Sequence, residues 1–147
     1  MSATYAATSR SREEPQGNEE ASAVLHLGEF QDVDALTHSE AALVINALVA
    51  KRKNDRKNVN ETEILQKTTD YLEHFARFRR KENVEAVERL LTAQKGLAKF
   101  ERAQLGSLCC DEAEEAKTLI PSLQDKITDE ELQVLLDDIN KLMGYGN

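Results

Sequence analysis

Tryptophan is absent from this chain of 147 residues, and only four phenylalanines and three tyrosines are present. Its interior must therefore be mostly aliphatic. The six glycines are scattered and form no phosphate-cradling loop. The two cysteines are neighbours, Cys109 and Cys110. That is no disulfide framework, and it fits a reducing compartment, cytosol or nucleus. No apolar run approaches the roughly 20 residues that a membrane-spanning helix needs. The N-terminus lacks the basic-then-apolar pattern of a secretory signal. Positive charge is also short: 19 Lys and Arg face 27 Asp and Glu, a net charge of -8. General affinity for nucleic acid or an anionic membrane is disfavoured. The length suits one domain, or a small domain with an elongated arm.

What is present is mostly helical periodicity. Residues 1–22 are small and polar and bury too little apolar surface to offset ordering entropy, so they are expected to form a disordered tail. Val24, Leu25, Leu27 and Phe30 then crowd a strip interrupted by Gly28. The strip is too short for a helix and reads as extended. No second strand pattern lies nearby, so the strip points to a partner.

Thr37 or Ser39 can cap the first helix, with Thr37 and Glu40 at capping-box spacing. Leu43, Val44, Ala47 and Leu48 fall on one face, and Lys51, Arg52 and Lys53 suit the negative end of its dipole. After a polar linker, a second helix is expected from Glu61 to about Arg79. Ile64, Leu65, Thr68, Tyr71, Leu72, Phe75 and Phe78 give it a broad apolar face. From about residue 82 the helices are short and closely spaced, as in a compact bundle. Asn83 is the expected cap of the first, carrying Val84, Val87, Leu90 and Leu91. Leu97, Phe100, Leu105 and Leu108 serve the next. Asp111 with Glu114 can cap a third that stops before Pro121. Thr128 and Glu131 form a capping box for the last, with Ile127 and Leu132 as a hydrophobic staple. Its stripe runs through Leu132, Leu135, Leu136, Ile139, Leu142 and Met143.

None of this assembles a catalytic constellation. Cys109 and Cys110 lack the further soft ligands a zinc site requires, because His26, His38 and His74 are scattered over three elements. The acids Asp111, Glu112, Glu114 and Glu115 disfavour a thiolate. The pair reads as packing at a helix junction. No serine or cysteine is arranged with histidine and carboxylate as a triad. Adjacent acids such as Asp137 and Asp138 point in different directions on a helix and read as solvated. No catalytic, cofactor or metal residue is assigned. The one candidate for phosphate contact is Lys51, Arg52, Lys53, Arg56 and Lys57, which a helix end and a solvated loop also explain.

The segments "ETEILQKTTDYLEHFARF", "VEAVERLL", "FERAQLGSL", "DEAEEAKTLIPSL" and "ITDEELQVLLDDI" resemble, in this order, the fourth-largest subunit of eukaryotic, fungal-like DNA-directed RNA polymerase II. The similarity runs from about Leu25 to about Leu142. The resemblance implies an all-α stalk subunit whose C-terminal bundle, residues 81–147, is HRDC-like. Residues 23–80, the extended strip and the helical pair, would dock on the partner. That partner would be the seventh subunit, and the heterodimer would dock on the polymerase core in the nucleus, with the cytoplasm as a further compartment. Its implied role is non-catalytic and cofactor-free, in transcription initiation and nascent-transcript handling, with RNA contacted only indirectly or weakly and no membrane. Val24, Leu25, Leu27, Phe30, Leu43, Val44 and Leu48 are the residues placed against the partner. The rival is a stand-alone HRDC-type nucleic-acid-binding or helical adaptor module. It needs a basic bundle face, whereas residues 106–147 carry three Lys and Arg against ten Asp and Glu.

Overall fold

The computed structural model describes residues 14–54 and 62–144. Two short strands open it, β1 (Glu20–Ala21) and β2 (Leu25–His26). They pair antiparallel, Glu20 opposite His26 and Ala21 opposite Leu25. The extended strip, expected to lack a strand partner within the chain, therefore has one. Periodicity could not reveal it, because β1 is two exposed residues and the pairing is a backbone matter. Side-chain hydrogen bonds reinforce the arm. The Glu19 carboxylate accepts from the N–H groups of Gln16 and Gly17 at 2.8 and 2.9 Å. Gln31 accepts from Leu27 N–H at 2.7 Å and donates to the Leu25 carbonyl at 3.0 Å. Gly28, at φ +60, makes the left-handed turn that starts a 3-10 turn through Phe30.

Helix α1 spans His38–Asn54 and begins as its sequence indicates. Glu40 N–H donates to Thr37 Oγ1 at 3.2 Å, and Thr37 N–H to the Glu40 carboxylate at 3.1 Å. Helix α2 spans Glu63–Phe75, capped by Thr62, whose Oγ1 accepts from Leu65 N–H at 3.1 Å. It stops short of Arg79. Ala76 turns extended, with φ -68 and ψ 120. Continuing the helix would carry Phe78 round with Phe75, which is half-exposed. Breaking it lets Phe78 enter the bundle core, only 2% exposed. Burial of an aromatic ring, on the order of 2–3 kcal/mol, outweighs one more helical turn.

The bundle comprises α3 (Lys81–Thr92), α4 (Lys99–Leu108), α5 (Ala113–Leu119), a 3-10 turn at Pro121–Leu123, and α6 (Asp129–Met143). Arg80, not Asn83, stands at the N-cap of α3. The backbone of Asn83 is already helical, its N–H bonded to the Arg80 carbonyl at 3.0 Å. Glu112 stands at the N-cap of α5 instead of Asp111, and Asp111 N–H donates to Glu115 at 3.3 Å. The box at Thr128 and Glu131 forms as its spacing requires. Leu132, Leu135, Leu136 and Ile139 of α6 are buried against Leu105, Ile120 and Leu123, with Val84, Val87 and Leu91 of α3 closing the core. The fold is thus mostly helical, six helices with one two-stranded ladder among the described residues.

Helix α1 is rooted on this bundle. His38 N–H donates to Ser107 Oγ at 3.0 Å. A Cβ on Gly106 would lie 2.5 Å from Thr37 Cγ2 and 2.8 Å from Leu91 Cδ1, so any side chain here would have to displace those methyl groups.

Candidate functional site

The residues expected to face a partner lie in two groups. Val24, at the hairpin turn, is 63% exposed, and Phe30 is 47% exposed. Leu25 and Leu27 are half-buried. Leu27 and Phe30 line an open groove of about 850 Å³, together with Val33 of the arm and Phe100 of α4. Val44 and Leu48, one turn apart on α1, are each about half exposed. Leu43 is half-buried and packs on the bundle core. Of the basic run, Lys51, Arg52 and Lys53 form the exposed last turn of α1. Arg56 and Lys57 lie outside the described residues, as do residues 1–13 of the expected tail.

The expected apolar face of α2 is divided. Leu72 alone is buried there, while Ile64 is 77% exposed and Tyr71 and Phe75 about half exposed. Tyr71 meets His38 edge-on at 5.5 Å, and its ring lies 4.6 Å from that of Phe75. The structure thus adds Val33, Leu36, Ile64, Tyr71 and Phe75 to the exposed apolar surface. The α2 residues carried a signal, their helical spacing. Val33 and Leu36 sit in a loop, where spacing says nothing.

The cysteines close a junction. Cys109 ends α4 in the left-handed conformation, with φ 49, and its Sγ donates to the Gly106 carbonyl at 3.3 Å. Both thiols are free and buried. Burial pushes Cys109 up to about 11, and burial, aided by Glu115, raises Cys110 as well. Helix α6 holds this segment by polar side chains. Asn140 donates to the Cys110 carbonyl at 3.0 Å, and Gln133 donates to the Asp111 carbonyl while accepting from Ala113 N–H. Such high-lying thiols are poor nucleophiles at neutral pH and serve packing. His74 sits on the exposed side of α2, its Nδ1 2.8 Å from the Asp70 carbonyl. Among the described residues no group of three His, Cys, Asp or Glu is placed to hold a metal ion.

One polar cluster had no sequence signal. Glu101 is fully buried. Its carboxylate accepts from Ala98 N–H at 2.7 Å, Ser122 Oγ at 2.5 Å and Lys126 Nζ at 2.7 Å. Three donors, one of them cationic, compensate the missing hydration. The cluster ties the start of α4 to the turn before α6, and Glu101, at zero exposure, meets no substrate.

No helix among the described residues is long and apolar enough to cross a membrane. The model of the family described as RNA polymerase Rpb4 matches residues 35–143. The DNA-directed RNA polymerase II subunit rpb4 of Schizosaccharomyces pombe is 47% identical over 129 residues, covering 86% of this chain and 94% of that one. The subunit RPB4 of Saccharomyces cerevisiae is 55% identical over 78 residues, 53% of this chain and 35% of that one. The RNA polymerase II subunit 4 of Arabidopsis thaliana is 28% identical over 128 residues, 83% of this chain and 92% of that one. The family match spans α1 through α6 and takes in the whole helical bundle, and on it the chain belongs to the RNA polymerase Rpb4 family.

Proposed function

We propose that this chain is a non-catalytic subunit of nuclear RNA polymerase II. It forms a heterodimer with the seventh subunit, and the pair docks on the core enzyme to support initiation and handling of the nascent transcript. Residues 23–80 serve as the docking part and residues 81–147 as an HRDC-like bundle. The observation that carries this reading is the contrast between two surfaces. The bundle closes its own aliphatic core and exposes few large apolar side chains, chiefly Leu119 and Val134, whereas the arm, α1 and α2 leave a larger set about half exposed or more, Val24, Phe30, Val44, Leu48, Ile64 and Phe75 among them. An uncovered apolar set beside a completed core is what a subunit interface leaves behind when the partner is removed. The bundle's acidic balance opposes RNA contact, so RNA falls to the partner. Transcription by the assembled enzyme implies the nucleus, with the cytoplasm as a further compartment.

Affinity purification of the endogenous chain, with identification of the bound chains, tests the reading. Recovery of the polymerase core and the seventh subunit is expected. Recovery of neither would sink it.

A further inference from the structure

From Glu14 to Ala50 the chain contains seven carboxylates and no lysine or arginine. Two of them are held by backbone N–H groups. Glu19 takes backbone N–H groups of Gln16 and Gly17, and Glu40 takes that of Thr37. Asp34 lies 2.6 Å from Lys99 of α4, and that hydrogen bond lowers its pKa. Glu14 and Glu20, both exposed, edge the groove whose floor includes Leu27, Phe30, Val33 and Phe100. Neither has an ion-pair partner among the described residues. The result is a trough of about 850 Å³ with an apolar part to its lining and the exposed carboxylates of Glu14 and Glu20 beside it. Both strands beside it are edge strands, since the ladder has only two.

We propose that this groove receives an extended segment of the partner subunit in which apolar residues alternate with Lys or Arg. The proposal rests on the heterodimer reading and deepens it. An extended chain sends successive side chains to opposite sides. One face of such a segment would lie on Phe30 and Phe100 while its cations meet Glu14 and Glu20, and its backbone can pair with an open edge. Charge complementarity selects the segment. An acidic peptide or a nucleic acid would meet the like charge of Glu14 and Glu20, with no lysine or arginine between Glu14 and Ala50 to offset it.

Two fluorescent ten-residue peptides, one alternating lysine and valine and one alternating glutamate and valine, are titrated into the full-length chain. The lysine peptide is expected to bind at least tenfold tighter, to weaken with added salt, and to be displaced by the purified seventh subunit. Glu14→Gln with Glu20→Gln should weaken it about fivefold or more. The same charge removal elsewhere, Asp125→Asn with Glu130→Gln, should not. Equal binding of the two peptides, or equal weakening in both variant pairs, overturns the proposal. Binding as expected without displacement by a seventh subunit that does form the heterodimer overturns it too, and leaves the heterodimer reading standing. Failure of the seventh subunit to associate at all removes that reading and this occupant together. A tenfold gain in peptide affinity on Arg10→Gln with Arg12→Gln would name the chain's own first residues as occupant, against the proposal.

Discussion

The backbone N–H of Phe78 donates to Ser39 Oγ at 3.0 Å, so the connector after α2 is fastened to the first turn of α1. Both residues are 2% exposed. The connector thus carries two anchors, a ring in the bundle core and a hydrogen bond to the helical pair. Removing the hydroxyl leaves a buried N–H unpaired, at a cost of about 1–3 kcal/mol. Removing the ring leaves a cavity, at about 3–5 kcal/mol. Urea unfolding should therefore rank Phe78→Ala below Ser39→Ala, and Ser39→Ala below wild type. A wild-type midpoint for Ser39→Ala would show that the bond contributes nothing.

A methyl group at Gly106 has no room, with Thr37 Cγ2 and Leu91 Cδ1 both inside contact distance. Gly106→Ala should cost about 1–3 kcal/mol by forcing α1 away from α4. Thr37→Ser deletes the nearer methyl yet keeps the capping hydroxyl. In the Gly106→Ala background it should recover part of the stability, which a double-mutant cycle would measure. Additive effects would mean that the strain lies elsewhere.

The Cys109 thiol is harder to ionise in the fold than in the unfolded chain, about 11 against 9.0. A raised thiol favours folding below its ordinary value and loses that contribution as pH climbs through the folded value. Stability should accordingly fall between about pH 9 and 11. Cys109→Ser, costing about 1–3 kcal/mol at neutral pH, should fall less steeply across that window. Parallel slopes for the two proteins would exclude Cys109 as the titrating group.

Capping boxes, helical stripes and helix order were legible because each is local: Thr37 with Glu40, Thr128 with Glu131, and the α6 run from Leu132 to Ile139 obey spacing alone. The misreadings share a different cause. Phe78 sits at a helical spacing from Phe75, and only the vacancy in the bundle core explains why the helix stops first. Tyr71 and Phe75 belong to a helical apolar face but stay half exposed, because α2 packs mainly on α1 and turns only Leu72 fully inward. Glu101 looked like any charged surface residue. Its partners, Ser122 and Lys126, lie more than twenty positions away, and tertiary contacts of that kind leave no local trace. The groove beside Phe30 is of the same kind, since Phe100 comes from another element.

The buried carboxylate allows a sharper test than its exposure alone. Lys126 keeps 38% of its side-chain surface in water while Glu101 keeps none, so the two partners are not equivalent. Lys126→Met strands a buried charge on Ser122 and the Ala98 N–H, and should cost about 3 kcal/mol. Glu101→Gln frees a lysine that water can reach, and should cost less. Thermal unfolding of the two variants should therefore differ in that order. The reverse order would mean that the lysine, not the carboxylate, bears the burial penalty.

The last expectation separates partner binding from phosphate binding. Phe30 on the arm and Leu48 on α1 are about half exposed apolar side chains. Lys51, Arg52 and Lys53 are exposed at the end of the same helix, one turn beyond Leu48. Interfaces draw most of their energy from a few buried apolar anchors. Phe30→Ala or Leu48→Asp should therefore weaken the proposed heterodimer by about 2 kcal/mol or more. Exposed charges contribute little to a packed interface, so neutralising Lys51, Arg52 and Lys53 should leave dimerisation nearly unchanged. If these cations touch RNA, neutralising them should lower its affinity and flatten the salt dependence by about one unit of slope for each phosphate left without its cation. Titrating both variant sets against the seventh subunit and against labelled RNA decides the matter. Dissociation of the heterodimer on charge neutralisation, with Phe30→Ala and Leu48→Asp binding normally, would place the interface at the helix end and not on the apolar surface.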